Sequence, residues 1–451
     1  MTLSPMLTAT ELVEAYRGRD LSPVEVVEST LAAIEASDLN AFWRVDGARS
    51  LAEAKEAELA YRNGSARPLE GVPVGVKDIF DTAGLITTSG SSMFADRVPA
   101  ADAETVRALR VSGAIVVGKT ATHEFAFGVT TVNPHFGTTQ HPTNHGYIVG
   151  GSSGGSAAAV TAGLVPLALG SDTSVSIREP AAFCGCVGFR PTHDTISLGG
   201  VAPLAPSLDA AGPIARTPDD AALMVETLWR LSPGLAREPL PTPAFRPLRV
   251  AVMATGWSFA PIPSIGHALA KAAIALERLG HRVSHVEIAE FARGPEIFTN
   301  VMLPEALEVH RRLGLWPKRE SEYGADVAAR LRLAETITMD QHLSAVNDRR
   351  ALREHMHAFF LDFDILLTPS SAIVAPSLED PDAPEYLGQR HTVRDLVFPF
   401  LVPAPLCGFP SLAIPAGRSS ENLPISVLLN AAPGHDRLVL RLGAQMMKEL
   451  T

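Results

Sequence analysis

The chain has 451 residues, 46% hydrophobic and 19% charged, with a formal net charge of −11. That balance fits a soluble globular protein with a sizeable core and excludes a disordered chain or a fibre. No run of Lys or Arg offsets the negative charge, so nucleic acid and anionic lipid are poor partners. Cys184, Cys186 and Cys407 are an odd number of cysteines without an export leader, which points to a reducing cytoplasm rather than a disulfide framework. The most apolar stretch, Ala157–Gly170, is 14 residues long and contains Gly163 and Pro166. It is too short for a bilayer of about 30 Å, and no membrane association is expected.

In chain order, the first sixty or so residues read as helices. Thr8-x-x-Glu11 and Ser22-Pro23-Val24-Glu25 both fit a capping box, with Pro23 at the tolerated first helical position, and residues 49–63 read as a third helix. From Gly71 to about Pro206 short apolar runs alternate with Gly, Ser, Thr and Pro. Strands are expected at Val72–Val76, Ala114–Val117, Val165–Leu169 and Cys186–Phe189, and helices at Asp102–Val111 and Gly154–Gly163. That alternation implies a sheet covered by helices. The stretch Ser232–Pro247 carries five prolines and reads as a surface connector. Beyond it come a strand (Leu248–Met253), a helix (Ser264–Leu279), a strand (Arg282–Ile288), a long helical region (Pro295–Phe360) and strands around Ile365, Leu412 and Val427.

The densest Ser/Gly segment, Gly150-Gly-Ser-Ser-Gly-Gly-Ser-Ala-Ala-Ala159, allows three readings. A flexible linker does not ordinarily run into an Ala-rich helix and an apolar strand. A phosphate loop would need G-x-x-x-x-G-K-[ST] or G-x-G-x-x-G, and neither is matched. A nucleophile elbow, G-x-S-x-G, is matched formally by Gly151–Gly155 and would make Ser153 the nucleophile with His435 as a partner. Two further segments bear on the choice. Gly170-Ser-Asp172-Thr-Ser-Val-Ser176-Ile-Arg178 ends a strand and presents Ser176 on a tight turn, with Arg178 able to pair with an acid there. Gly71-Val-Pro-Val-Gly-Val-Lys77-Asp78 places one of only six lysines at the end of an apolar strand. An ammonium there must be solvated, paired or deprotonated, since burying a lone charge is very costly; taken alone, Lys77 snorkelling to water is the simpler reading.

Together these segments resemble the amidase signature family of serine hydrolases, from about Leu69 through Arg216, with weaker similarity near Gly408–Gly417. The resemblance implies one large α/β domain over residues 1–451, with a central mixed, mostly parallel β-sheet covered by helices on both faces. Residues 1–65 are then N-terminal helices, 66–231 the catalytic core, and 248–451 a C-terminal part whose helical segment 295–360 shapes the pocket. It further implies Lys77 as catalytic base, Ser152 as the bridging serine with an unusual cis peptide, and Ser176 as nucleophile; the spacing of 24 between the serines agrees. In this chemistry Ser152 is hydrogen-bonded to both partners and relays the proton. A lysine base must be neutral, which the desolvating surroundings of Val72, Val74, Val76 and Ile79 favour. The backbone N–H groups of Thr173, Ser174, Val175 and Ser176 are the natural donors to an oxyanion. Asp172 and Arg178 are read as a pair holding the turn, with Ser153 in support; direct contact of Arg178 with substrate is the alternative. No metal or organic cofactor is required.

The sequence departs from the family where Ser174-Val175 stand for the usual two glycines. If those positions required φ > 0, Val175 would be strained and the oxyanion hole altered, which opens the reading of a catalytically impaired binding relative. Glu179 takes a position commonly apolar or Gln, and nothing in the sequence explains it. His141–Val149 replaces a segment that usually carries a Trp and an Arg. Phe127, Val129, Thr130, Tyr147, Phe398 and Phe400 are expected to line an apolar pocket. They favour a free-standing monomer or homodimer hydrolysing a small, partly hydrophobic amide or carbamate (urethane), with the glutaminase component of a tRNA-dependent amidotransferase as the alternative. Cys184-x-Cys186 reads as a small, apolar strand position rather than a metal pair, there being no second ligand cluster, and His355-Met-His357 shares no metal because i and i+2 of a helix point to different faces.

Overall fold

The structure, a computed structural model, describes residues 7–230 and 246–450; most of the expected connector Ser232–Pro247 lies outside them. Both capping boxes form. Thr8 and Glu11 satisfy each other's backbone N–H groups ahead of a helix at Ala9–Gly18, and Ser22 and Glu25 do the same ahead of Pro23–Ala36. A third helix runs Gly47–Asn63. Between the last two lies a strand the sequence did not suggest, Phe42–Val45, too short to show a period.

The strands in chain order are β1 (Phe42–Val45), β2 (Pro73–Lys77), β3 (Ile115–Thr120), β4 (Leu167–Asp172), β5 (Val187–Arg190), β6 (Ala210–Ala215), β7 (Arg249–Val252), β8 (Arg282–His285), β9 (Ile365–Pro369), a small hairpin β10 (Glu385–Tyr386) and β11 (Gln389–Arg390), β12 (Ser411–Arg418) and β13 (Pro424–Asn430). All but the hairpin join one sheet ordered β1-β3-β2-β4-β6-β5-β12-β13-β9-β7-β8. The sheet is mixed, as expected, and it runs through both halves of the chain. Its parallel pairings form two blocks, β3-β2-β4 and β8-β7-β9, and every join between and beyond them is antiparallel. The antiparallel share therefore exceeds what "mostly parallel" implies. The unforeseen strand β6 accounts for part of that: its sequence, Ala-Ala-Gly-Pro-Ile-Ala, is nearly devoid of the β-branched and aromatic residues that mark strands.

Side-chain alternation sorts the core into layers on the two faces. Leu412, Ile414, Val427 and Leu429 pack on one side with the helices Pro263–Arg278 and Asp436–Leu450. Ala413 and Leu428 pack on the other with Gly294–Arg312, Ala325–Thr336 and Met339–Asp362, the three helices into which the expected region 295–360 divides. Because β2 and β4 are adjacent and parallel, their C-terminal ends, Lys77 and Asp172, emerge on the same edge of the sheet, where α/β proteins place ligands. The helix Gly154–Thr161 starts at that edge. It approaches so closely that a Cβ on Gly155 would lie 2.3 Å from the backbone nitrogen of Ala121.

Leu428 has no exposed surface. Leu428→Ala should lower the unfolding free energy by about 2–5 kcal/mol, whereas Leu361→Ala, at a side chain 67% exposed, should change it by less than about 0.5 kcal/mol. Urea denaturation of the two variants measures the contrast.

Candidate active site

Three loops meet at this edge. Lys77, the last residue of β2, has no exposed surface, and its Nζ donates to Ser152 Oγ at 2.8 Å and to Ser171 Oγ at 2.8 Å. Burial pushes the Lys77 amine down to about 7, against the upward pull of Asp172 and Asp209. The snorkelling lysine is thereby set aside. The Gly151–Ser152 peptide is cis. The Ser152 carbonyl accepts from Thr122 Oγ1 at 2.9 Å and from the N–H of His123 at 3.2 Å, and a Cβ on Gly151 would press on the backbone of Val129–Thr131. Glu179 Oε2 accepts the N–H of Gly151 at 3.0 Å, which gives this unexplained residue a place. Burial pushes its carboxyl well up.

Ser176 is 3% exposed, and its carbonyl accepts from the N–H of Ser153 at 3.2 Å. No hydrogen bond joins the hydroxyls of Ser176 and Ser152, so of the two links expected of Ser152 only the one to Lys77 is closed. Ser153 Oγ donates to the Ser171 carbonyl at 3.2 Å and receives the Ser171 N–H at 3.4 Å. Ser153 thus supports the end of β4 through its hydroxyl and the nucleophile turn through its backbone N–H. It is not placed as a nucleophile elbow.

The turn after β4 is held from beneath. Arg178 donates to both carboxylate oxygens of Asp172, at 3.0 and 3.1 Å, and to the carbonyls of Ser174 at 2.7 Å and Leu401 at 2.8 Å; it has no exposed surface with which to meet a substrate. Arg190, missed in the sequence, completes a triad by donating to the carbonyl and to Oδ1 of Asp172. Burial by itself would raise the Asp172 pKa, but the two guanidiniums outweigh it and hold the carboxyl below its ordinary value. Asp172 Oδ2 takes the N–H of Ile177, whereas the N–H groups of Thr173, Ser174, Val175 and Ser176 meet no backbone acceptor among the described residues. None of these four residues has positive φ. The turn therefore accepts Ser174 and Val175 without the left-handed strain that a family glycine would have relieved.

Of the expected pocket residues, Phe127, Val129, Phe398 and Phe400 share one apolar cluster with Val175 of the turn, and Tyr147 packs against it, but none of the six lines the cavity beside Ser171. Phe127 is buried beneath the Arg330 guanidinium, 5.7 Å from the ring. Phe398 packs on Phe298 at 5.3 Å and Phe400 on Trp257 at 4.5 Å. Thr130 faces His123 and Tyr147 bridges to Ser377; Val129 lines a different cavity, with Arg330 and Arg394. Large apolar residues signal burial, and burial here means core. The cavity beside the Lys77 partner Ser171 measures about 270 Å³ and is walled by Ile79, Ala126, Leu198, Val201–Leu204 and Pro206, with Thr173 and Asp209. No long-range pattern marks these small and loop-borne residues in the sequence. Cys184 and Cys186 are core positions whose thiols burial pushes up, and His355 faces Glu290 while His357 lines a separate cavity.

A buried amine between two hydroxyls, beside a turn with free N–H groups, is equipment for acyl transfer, and comparisons with known proteins agree. Residues 25–440 match the Amidase family. The chain is 34% identical to AtzE, a component of the 1-carboxybiuret hydrolase of Pseudomonas sp. (strain ADP), covering 96% of each. It is 31% identical to a component of the glutamyl-tRNA(Gln) amidotransferase of Lachnospira eligens, covering 97% of this chain and 96% of the other. Among solved structures, that of a bacterial aryl acylamidase of the amidase signature family superposes with a TM-score of 0.89 at 26% identity, covering 99% of this chain and 97% of that one. The chain belongs to the amidase signature family and is a hydrolase of amide C–N bonds. Among the described residues no helix is long and apolar enough to cross a membrane.

Folded Lys77 loses its proton near pH 7 and the unfolded side chain near 10.5. Between those values the unfolded chain binds more protons, so stability rises with pH across that window, and below pH 7 the full cost of the buried ammonium is present. Lys77→Met should raise the melting temperature most below pH 7 and progressively less towards pH 10; a gain independent of pH would contradict a depressed amine. Asp172→Asn strands two buried guanidiniums and should cost about 3–5 kcal/mol in urea denaturation.

Proposed function

We propose that the protein is a serine hydrolase that cleaves the C–N bond of a small, partly hydrophobic amide or carbamate through an acyl-enzyme on Ser176. The observation that carries this reading is the Lys77 amine, fully buried, pushed down by burial to about 7 and hydrogen-bonded to Ser152 at 2.8 Å. Lys77 is the base and Ser152 the relay. As Ser176 Oγ bonds to the carbonyl carbon, its proton passes to Ser152 and the Ser152 proton passes to Lys77. The negative oxygen is received by the N–H groups of Thr173–Ser176. Collapse breaks the C–N bond while the proton returns through Ser152 to the leaving nitrogen. Water then attacks the acyl carbon, its proton following the same route, and Ser176 regains its hydroxyl. The Ser152–Ser176 link closes when substrate binds, as catalytic hydrogen bonds commonly do in complexes.

The apolar walls of the cavity beside Ser171 suit a hydrophobic acyl or leaving group. A carbamate uses the same machinery: breaking its C–N bond releases the amine and places an alkoxycarbonyl group on Ser176, whereas breaking its C–O bond releases the alcohol and places a carbamoyl group there. The protein acts in the cytoplasm as a monomer or homodimer, without metal or organic cofactor. The similarity to amidotransferase components supports a second reading, a glutaminase chain within a larger assembly. Against it, the walls of the cavity beside Ser171 are mainly apolar, where a glutamine head would need charged groups.

A serine-directed fluorophosphonate should label Ser176, with labelling lost in Ser176→Ala and Lys77→Ala; an unlabelled, folded wild type would refute the nucleophile. Purified protein offered amides, anilides, ureas, carbamates and glutamine should turn over at least one of the first four without partner chains. Glutaminase activity that appears only with copurifying partners would establish the second reading instead.

A further inference from the structure

The ladder between β4 and β6 ends at the pair Asp172–Ala210, so the next residues along, Thr173 and Asp209, face each other beyond the sheet edge. Arg190 fixes that juxtaposition from behind by donating to the carbonyls of Asp172 and Leu208, the residues that precede them. Thr173 Oγ1 donates to Asp209 Oδ1 at 2.5 Å, and the Asp209 carboxylate also accepts the N–H groups of Leu204 and Ala205 at 3.0–3.2 Å. Thr173, Leu204 and Asp209 all line the cavity beside Ser171. Asp209 therefore joins two segments beside the cavity, residues 204–205 through their backbone N–H groups and the oxyanion turn through one hydroxyl.

We propose that Asp209 is a positioning residue that clamps Thr173, the first residue of the oxyanion turn, to the 204–205 segment in the lining of the cavity beside Ser171. The proposal rests on the reading of Ser176 as nucleophile. The clamp has an electrical consequence as well. The charged groups around Asp209 are Arg190 behind it and, across the site, Lys77 and Asp172. Burial pushes the Asp209 carboxyl up to about 6, against its three hydrogen-bonding partners and the field of Arg190, so above that pH it is an anion that favours the ammonium form of Lys77. Removing the charge while keeping the shape should make Lys77 release its proton at a lower pH.

The test uses the full chain and the rate of fluorophosphonate labelling of Ser176 as a function of pH, in Asp209→Asn, Thr173→Val and the double variant, with circular dichroism confirming the fold. Asp209→Asn should lower the maximal labelling rate by roughly 10- to 100-fold, less than the roughly 100- to 1,000-fold of losing an oxyanion donor outright, leave the probe's half-saturating concentration within about threefold, and move the acid midpoint to lower pH. Thr173→Val should show the same loss of rate with the midpoint unmoved, and the double variant should lose little more than the worse single one, because both act through one bond. Multiplicative losses, a wild-type rate in folded Asp209→Asn, or a reduced rate with an unmoved midpoint would overturn the proposal, the last by reducing Asp209 to ordinary scaffolding. Should Asp209→Asn not fold, a wild-type rate in Thr173→Val overturns it equally and a loss without midpoint shift supports it. A wild type that does not label at Ser176 refutes the nucleophile reading instead.

Discussion

A primary amine held out of water is the constraint around which this site is arranged. Moving an ammonium from water into an apolar interior is so unfavourable that a buried lysine either finds a paired charge or gives up its proton. Lys77 has no carboxylate within hydrogen-bonding reach; its neighbours are the hydroxyls of Ser152 and Ser171. The acids that influence it, Asp172 and Asp209, act at longer range, and Asp172 is already committed to two guanidiniums. Lys119 makes the contrast. It is equally buried, but it sits 4.0 Å from Asp78 and bonds to the Phe80 carbonyl and to Thr82, and its amine falls only to about 8. Two strand-end lysines thus meet the same problem, and one of them meets it with groups that can also move a proton.

The rest of the edge keeps that amine and the turn in register. The parallel pairing of β2 with β4 brings Lys77 and Asp172 to one side of the sheet, and the buried triad of Asp172, Arg178 and Arg190 fixes the turn whose N–H groups stay unspent. Such a triad contributes little net stability, because desolvation of three charges offsets their attraction. Its return is geometric: Arg178 alone ties the strand end, the Ser174 carbonyl and the Leu401 carbonyl of the C-terminal half together.

Much of this was legible in the sequence because the informative residues lie close together along the chain. The capping boxes at Thr8 and Ser22, the strand ending at Lys77, and the pairing of Asp172 with Arg178 each involve neighbours or a few residues of separation, and local pattern captures them. The contacts that escaped are long-range or built from unremarkable residues. Arg190 reaches Asp172 only because β5 and β4 flank β6, and β6 itself hides in a run of Ala, Gly, Pro and Ile. The cavity escaped for a related reason: hydrophobicity marks Phe398 and Phe400, which pack in the apolar cluster that holds Val175, whereas the cavity wall comes largely from the loop ahead of β6. At the turn, Val175 suggested strain only because the family places glycine there; the angles are ordinary.

The scarcity of lysine makes the central claim directly measurable. With only six lysines in the chain, selective isotope labelling and NMR titration resolve each amine, and Lys77→Met assigns the signal of interest. The account predicts that the Lys77 signal titrates near pH 7 in the folded protein; titration near 10.5, the value of a solvated lysine, would contradict it.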